Sequence, residues 1–105
     1  MSDLPTPPKA YTAFVNRYPK LGQAWETINA AGSEGPLGDR DQRLVKLAIA
    51  IGAMREGAVR SNVRKALAAG VDRQTIEQVV ALAASTLGMP STVAIDSWIQ
   101  PLFGD

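Results

Sequence analysis

From Leu44 to Met54 the chain is almost wholly apolar, and Lys46 is the one charge in the run. The run is far short of the ~20 residues that a membrane span requires. A helix that is apolar on most of its faces must be covered on most of its faces. This segment is therefore expected to be a buried helix, either central in the domain or packed between subunits.

The rest of the chain repeats at helical spacing. Tyr11, Phe14, Val15 and Tyr18 fall at i, i+3, i+4 and i+7, one face of a short helix that Pro19 ends. Leu21, Trp25 and Ile28 continue the pattern in a second helix that closes near Gly32, and the glycine-rich stretch Gly32–Gly38, with Pro36, is expected to be a loop. Asp39 reads as an N-cap with Gln42 three residues on, the capping-box arrangement. A helix is expected from about Glu56 to Ala69, with Val59, Val63 and Leu67 on one stripe and Gly70 as its stop. Asp72 should cap the next helix, with Val71 and Ile76 spaced as a hydrophobic staple. Its apolar face is Ile76, Val79, Val80, Ala83 and Leu87, and Gly88 closes it. Pro90 opens a last helix with Ile95, Trp98, Ile99 and Leu102 inward. Pro101 and Gly104 mark its end. No β-alternating run competes, so the expected fold is all-α. It is a compact domain of about six helices over residues 9–105, with a central antiparallel hairpin, preceded by an extended arm over residues 1–8 that holds three prolines.

Composition excludes several classes of function. Eleven basic and ten acidic residues leave a formal charge of +1, with no basic stripe for nucleic acid and no acidic tail. Met1–Pro8 has neither the basic start nor the apolar centre of a signal peptide. A cytoplasmic location is the expectation, with no membrane and no nucleic acid as partner. Cysteine and histidine are both absent. That removes disulfides, thiolate nucleophiles and thiolate or imidazole metal ligands. The acidic residues form no cluster of suitable spacing, so no metal site and no cofactor are expected.

Three separated segments carry a family resemblance. They are Asp41-Gln42-Arg43-Leu44-Val45-Lys46-Leu47-Ala48-Ile49-Ala50, then Arg55-Glu56-Gly57-Ala58-Val59-Arg60-Ser61-Asn62 running on to Ala68-Ala69-Gly70-Val71, and finally Ala81-Leu82-Ala83-Ala84-Ser85-Thr86-Leu87-Gly88-Met89-Pro90. Together they resemble the helical hairpin, the Ala-Ala-Gly turn and the Leu-Gly-x-Pro turn of the carboxymuconolactone decarboxylase and alkylhydroperoxidase D superfamily. The resemblance implies an alkylhydroperoxidase D-like fold and homo-trimers or homo-hexamers. Its peroxidase branch carries Cys-Glu-x-Cys-x-x-x-His, and the corresponding positions here are Arg55, Glu56, Ala58 and Asn62. A further family glutamate falls at Arg43. Thiol peroxidase chemistry is excluded, since the only sulfur belongs to Met1, Met54 and Met89. The decarboxylase branch resembles Arg-Glu-x-Glu-x-Arg-x-His. Arg55, Glu56 and Arg60 match it, whereas Ala58 and Asn62 depart from it.

On this resemblance, Glu56 is the candidate catalytic residue, moving a proton. Arg43, Arg55, Arg60 and Asn62 are the candidate substrate-binding residues, for a small carboxylated, lactone-type acid. Each has a second reading. Arg55 also suits a solvated helix start or an intersubunit ion pair. Glu56 and Arg60 also form an i, i+4 pair worth roughly 0.2–0.5 kcal/mol as helix support. Asn62 either satisfies a backbone group or points into a pocket. Arg43 either snorkels, pairs with an acid or binds ligand. Tyr11 and Tyr18 are packing residues or line a pocket mouth. Two classes of function follow: a decarboxylase-like carbon–carbon lyase, or a non-catalytic oligomeric scaffold that binds an anion.

Overall fold

A computed structural model describes residues 9–104. They form α1 (Lys9–Arg17), α2 (Pro19–Gly32), α3 (Asp39–Gly52), α4 (Glu56–Ala68), α5 (Arg73–Leu82), α6 (Ala84–Leu87) and α7 (Met89–Ile99), followed by a 3-10 turn over Gln100–Phe103. No strand occurs among the described residues, and the all-α expectation holds. The arm expected over residues 1–8 lies outside the described residues. By its internal contacts the chain divides into two units, between Leu37 and Gly38.

The first unit is the α1–α2 hairpin. Pro19 stops α1 and opens α2 at its first turn, where its missing N–H has no carbonyl to serve. Gly22 lets the helices approach closely, since a Cβ there would stand 3.2 Å from that of Val15. The rings of Phe14 and Tyr18 stack at 5.2 Å, tilted by 45°. Neither helix contains a buried residue.

The second unit holds the core. Leu47, Ile51, Val59, Val63, Ala66, Val71, Ile76, Val80, Ile95 and Ile99 are buried together from α3, α4, the turn that follows α4, α5 and α7. The turn after Gly52 folds α4 back along α3, and this pair is the most extensive helix contact. That turn is a Schellman motif: Met54 N–H donates to the Ile51 carbonyl at 3.0 Å and Arg55 N–H to that of Ala50 at 3.3 Å. Its left-handed residue is Met54, at φ 56°. A second Schellman motif ends α4, with Gly70 at φ 90°, Gly70 N–H donating to Leu67 and Val71 N–H to Ala66. Asp72 caps α5 by accepting from Thr75 N–H at 3.0 Å, and Val71 and Ile76 are both buried beside it.

Two expectations need correction, and of the two alternatives for α3, central in the domain or packed between subunits, the first is narrowed. The N-cap of α3 is Gly38, extended at φ −71° and ψ 171°, and its carbonyl accepts from Gln42 N–H. Asp39 and Asp41 lie instead inside the first turn, where the helix dipole favours negative charge. The apolar helix α3 is not covered all round within the chain: Leu47, Ala50 and Ile51 are buried, but Ile49 is 66% exposed and Val45 45%. The second correction is that the helix expected from Asp72 to Gly88 breaks at Ala83. There the N–H bonds back three residues to Val80, and a single four-residue turn, α6, restarts the path.

Candidate functional site

The sequence candidates all lie on the α3–α4 hairpin, but the structure does not gather them at one point. Arg55 is the N-cap residue of α4, exposed, with extended backbone and no side-chain cap. Its position follows from the Schellman turn, which delivers the chain to α4 one residue after Met54. Its guanidinium makes no hydrogen bond or ion pair with another described residue.

Glu56 and Arg60 are paired. The carboxylate meets the guanidinium at 2.6 Å with both side chains about two-fifths exposed, and Arg60 Nε also donates to the Trp98 carbonyl at 3.3 Å. Arg60 thus links α4 to α7. Asn62 Nδ2 donates to the Ala58 carbonyl one turn back, at 2.8 Å. For both pairs the structural alternative is the one seen in the geometry.

Arg43 sits nine residues before the end of α3, about 13 Å along the axis from the bend where Arg55 stands. Along α3, Asp39 precedes it by four residues and Lys46 follows it by three, each about one turn away. Lys65 is an exposed residue whose amine is held below the usual lysine range, first by partial withdrawal from water, then by the charges of Arg43 and Lys46. Arg43, Lys46 and Asn62 are half-buried. Asn62 precedes Lys65 by three residues, so both lie on one edge of α4. Sequence reading passed over Lys46 and Lys65. Lys46 had a signal, as the one charge in the apolar run; Lys65 had none, because its role depends on α4 folding back against Arg43.

Two acidic groups of the second unit, Glu77 and Asp96, are engaged away from the α3–α4 hairpin. Glu77 accepts from Gln100 Nε2 at 2.9 Å and from Arg73 Nε at 3.4 Å, and Asp96 accepts from the same Gln100 amide at 2.9 Å. Arg73 completes this α5–α7 clasp by donating to Gln100 Oε1 at 2.8 Å and by covering the Phe103 ring at 4.8 Å. The hydrogen bond from Gln100 holds the Glu77 carboxyl below its usual range, and that from Thr75 does the same for Asp72. No group of three or more acidic side chains among the described residues is placed to hold a metal ion.

The α1–α2 unit has a cavity of its own, of about 340 Å³, lined by Tyr11, Phe14, Val15, Leu21, Ala24, Trp25 and Ile28. Tyr11 lines it and Tyr18 does not. Its walls are hydrocarbon and ring surface, suited to apolar contact rather than to holding a charge.

These features define an all-α protein organised on a helical hairpin with Arg55 at its bend and the Glu56–Arg60 pair in the first turn of its second helix. The chain belongs to the carboxymuconolactone decarboxylase family, whose model matches residues 19–100. No curated protein and no solved structure matches the sequence.

Proposed function

We propose that this family member binds a small carboxylated organic acid at the bend of the α3–α4 hairpin, with Arg55 as the group that grips the carboxylate. The observation that carries the reading is the guanidinium of Arg55, fixed at the start of α4 by its backbone and engaged with no acid among the described residues. A guanidinium presents two parallel N–H bonds to the two oxygens of a carboxylate. Arg43, the other arginine expected to hold the substrate's carboxylate, is too far along α3 to share one carboxylate with it.

Decarboxylation through Glu56 is not part of this reading. A proton-moving carboxyl must be free to meet its substrate and tuned toward the working pH. Glu56 is held by Arg60 in a half-exposed pair, and one amide N–H of Asn62 is committed to the Ala58 carbonyl. The function is then binding on a family scaffold, without a lyase step at this position.

We further infer that the working form is a homo-oligomer, a trimer or a hexamer. Val45, Ile49, Leu82, Met89 and Val93 are large apolar side chains that the second unit leaves exposed, and such surface favours association with another copy. Light scattering at micromolar concentration tests this, and a mass of 11 kDa would contradict it. The ligand reading is tested by thermal shift against small mono- and dicarboxylates and lactones. Stabilisation by at least one acid supports it, and none across the panel removes it.

A further inference from the structure

We propose that the α1–α2 hairpin is a two-fold contact between copies of this chain, in which two hairpins meet face to face as an antiparallel four-helix bundle. The inference deepens the oligomeric reading and rests on it only for the second unit's own exposed face, whose residues are not used here. By itself the hairpin lacks cover. Its helices are 9 and 14 residues long, at or below the length at which an isolated helix holds in water, and neither buries a residue. Tyr11, Phe14, Tyr18, Leu21, Trp25 and Ile28 are each between 39% and 61% exposed. All but Tyr18 line the cavity of this unit.

A second copy fits this face in area, in shape and in charge. At about 200 Å² for a large side chain, six side chains half exposed amount to roughly 600 Å² per copy. The pair then covers about 1,200 Å², the lower end of a specific interface. The face also matches its own reverse, as a two-fold contact requires and a foreign partner does not. On α2 the stripe is Leu21, Ala24, Trp25 and Ile28. Turned end for end about the midpoint between Ala24 and Trp25, Leu21 of one copy meets Ile28 of the second, and Ala24 and Trp25 flank the axis on either side. Every stripe of this spacing reverses onto itself. This one also sets its single small residue beside the axis, where two packed helices must come to within about 8–10 Å. The two charged side chains of α2, Lys20 and Glu26, pair with no other described residue. In the reversed alignment Lys20 falls at the level of Asn29 of the second copy, so the two Lys20 side chains stand about 13 Å apart along the axis. Glu26 lies on the outer face, and no like charges are opposed.

A two-fold contact doubles whatever the second unit assembles. With a three-fold contact through the second unit the working form is the hexamer, not the trimer. The test is sedimentation equilibrium of the full chain at micromolar concentration, with circular dichroism as the check that each variant keeps its helix content. The native protein is expected as a hexamer. Ala24→Glu places a carboxylate beside the axis in each copy, and Trp25→Ala removes the largest ring of the face. Each is expected to weaken the hairpin contact at least about tenfold and to leave trimers at concentrations where the native protein is hexameric. Ala30→Glu puts the same charge on the side of α2 turned away from the stripe and is expected to keep the hexamer. A native trimer, the native mass retained in both interface variants, or dissociation of Ala30→Glu as complete as that of Ala24→Glu would each overturn the proposal and leave the oligomeric reading standing. A native dimer that Ala24→Glu turns into a monomer would support the hairpin contact and overturn the trimer-or-hexamer reading instead. A native monomer would overturn both.

Discussion

Gly70→Ala isolates one backbone angle. Gly70 is the left-handed residue of the Schellman turn after α4, at φ 90°, and that turn sends Val71 into the core and sets the start of α5. An added Cβ would meet nothing within 4 Å, so no clash or repacking enters. What remains is the cost of an L-residue in the left-handed region, about 1–2 kcal/mol. Alanine also stiffens the unfolded chain, which returns about 0.4–1 kcal/mol. The net loss is about 1 kcal/mol, or a fall in melting temperature of about 4–8 °C for a domain of this size. Urea and thermal unfolding followed by far-UV circular dichroism would read both, with an unchanged m-value as the sign that only stability moved. Met54 occupies the same place in the turn before α4, at φ 56°. Met54→Gly should therefore move stability the other way by a smaller amount, because the half-covered methionine side chain loses some packing. A Gly70→Ala variant as stable as the native protein would refute the reasoning for both turns.

Three further outcomes follow from the packing and the charges. Leu47 is fully buried between α3 and the rest of the core, so Leu47→Ala should cost about 2–5 kcal/mol in urea unfolding. Lys65 has a lowered native pKa, so the unfolded chain binds more protons as pH rises toward the ordinary lysine range, and native stability should rise across that window. At neutral pH and without anion, Lys65→Met should then raise the melting temperature, and added salt should shrink the gain. Asp72 and Glu77 have lowered native pKa values, so their contribution is present above the ordinary carboxylate range and is lost as pH falls through the native values. Acid titration of the Asp72→Asn, Glu77→Gln double variant should show a shallower loss of stability than the native protein.

The fold was legible wherever local chemistry decides the backbone. Pro19, Gly70, Asp72 and Gly88 mark helix ends whatever surrounds them, and the buried stripe of Val59, Val63, Ile76, Val80, Ile95 and Ile99 follows from spacing alone. The break at Ala83 carries no residue signal, because alanine suits both the helix and the tighter turn that interrupts it. The cap of α3 slipped by one position because Gly38 offers no side chain to read, while Asp39 looks like a cap. The apolar run of α3 shows that hydrophobicity specifies a need for cover but not its source, and the face with Val45 and Ile49 stays open within the chain. At the candidate site, the Glu56–Arg60 pair was visible as an i, i+4 spacing. The influence of the Arg43 and Lys46 charges on Lys65 was not, since it joins residues about twenty apart across a turn.

The account rests most directly on Arg55 as an anion-gripping residue. The decisive measurement is a thermal-shift comparison of the native protein and Arg55→Ala across small mono- and dicarboxylates and lactones. Arg55 is exposed and has no partner among the described residues, so without ligand the two proteins should melt within a few degrees of each other, as for a surface substitution within about 0.5 kcal/mol. A ligand at 100 times its dissociation constant adds about 2.7 kcal/mol. The account predicts such a shift in the native protein and its loss in Arg55→Ala. A shift of equal size in both proteins, or none in either, would contradict it.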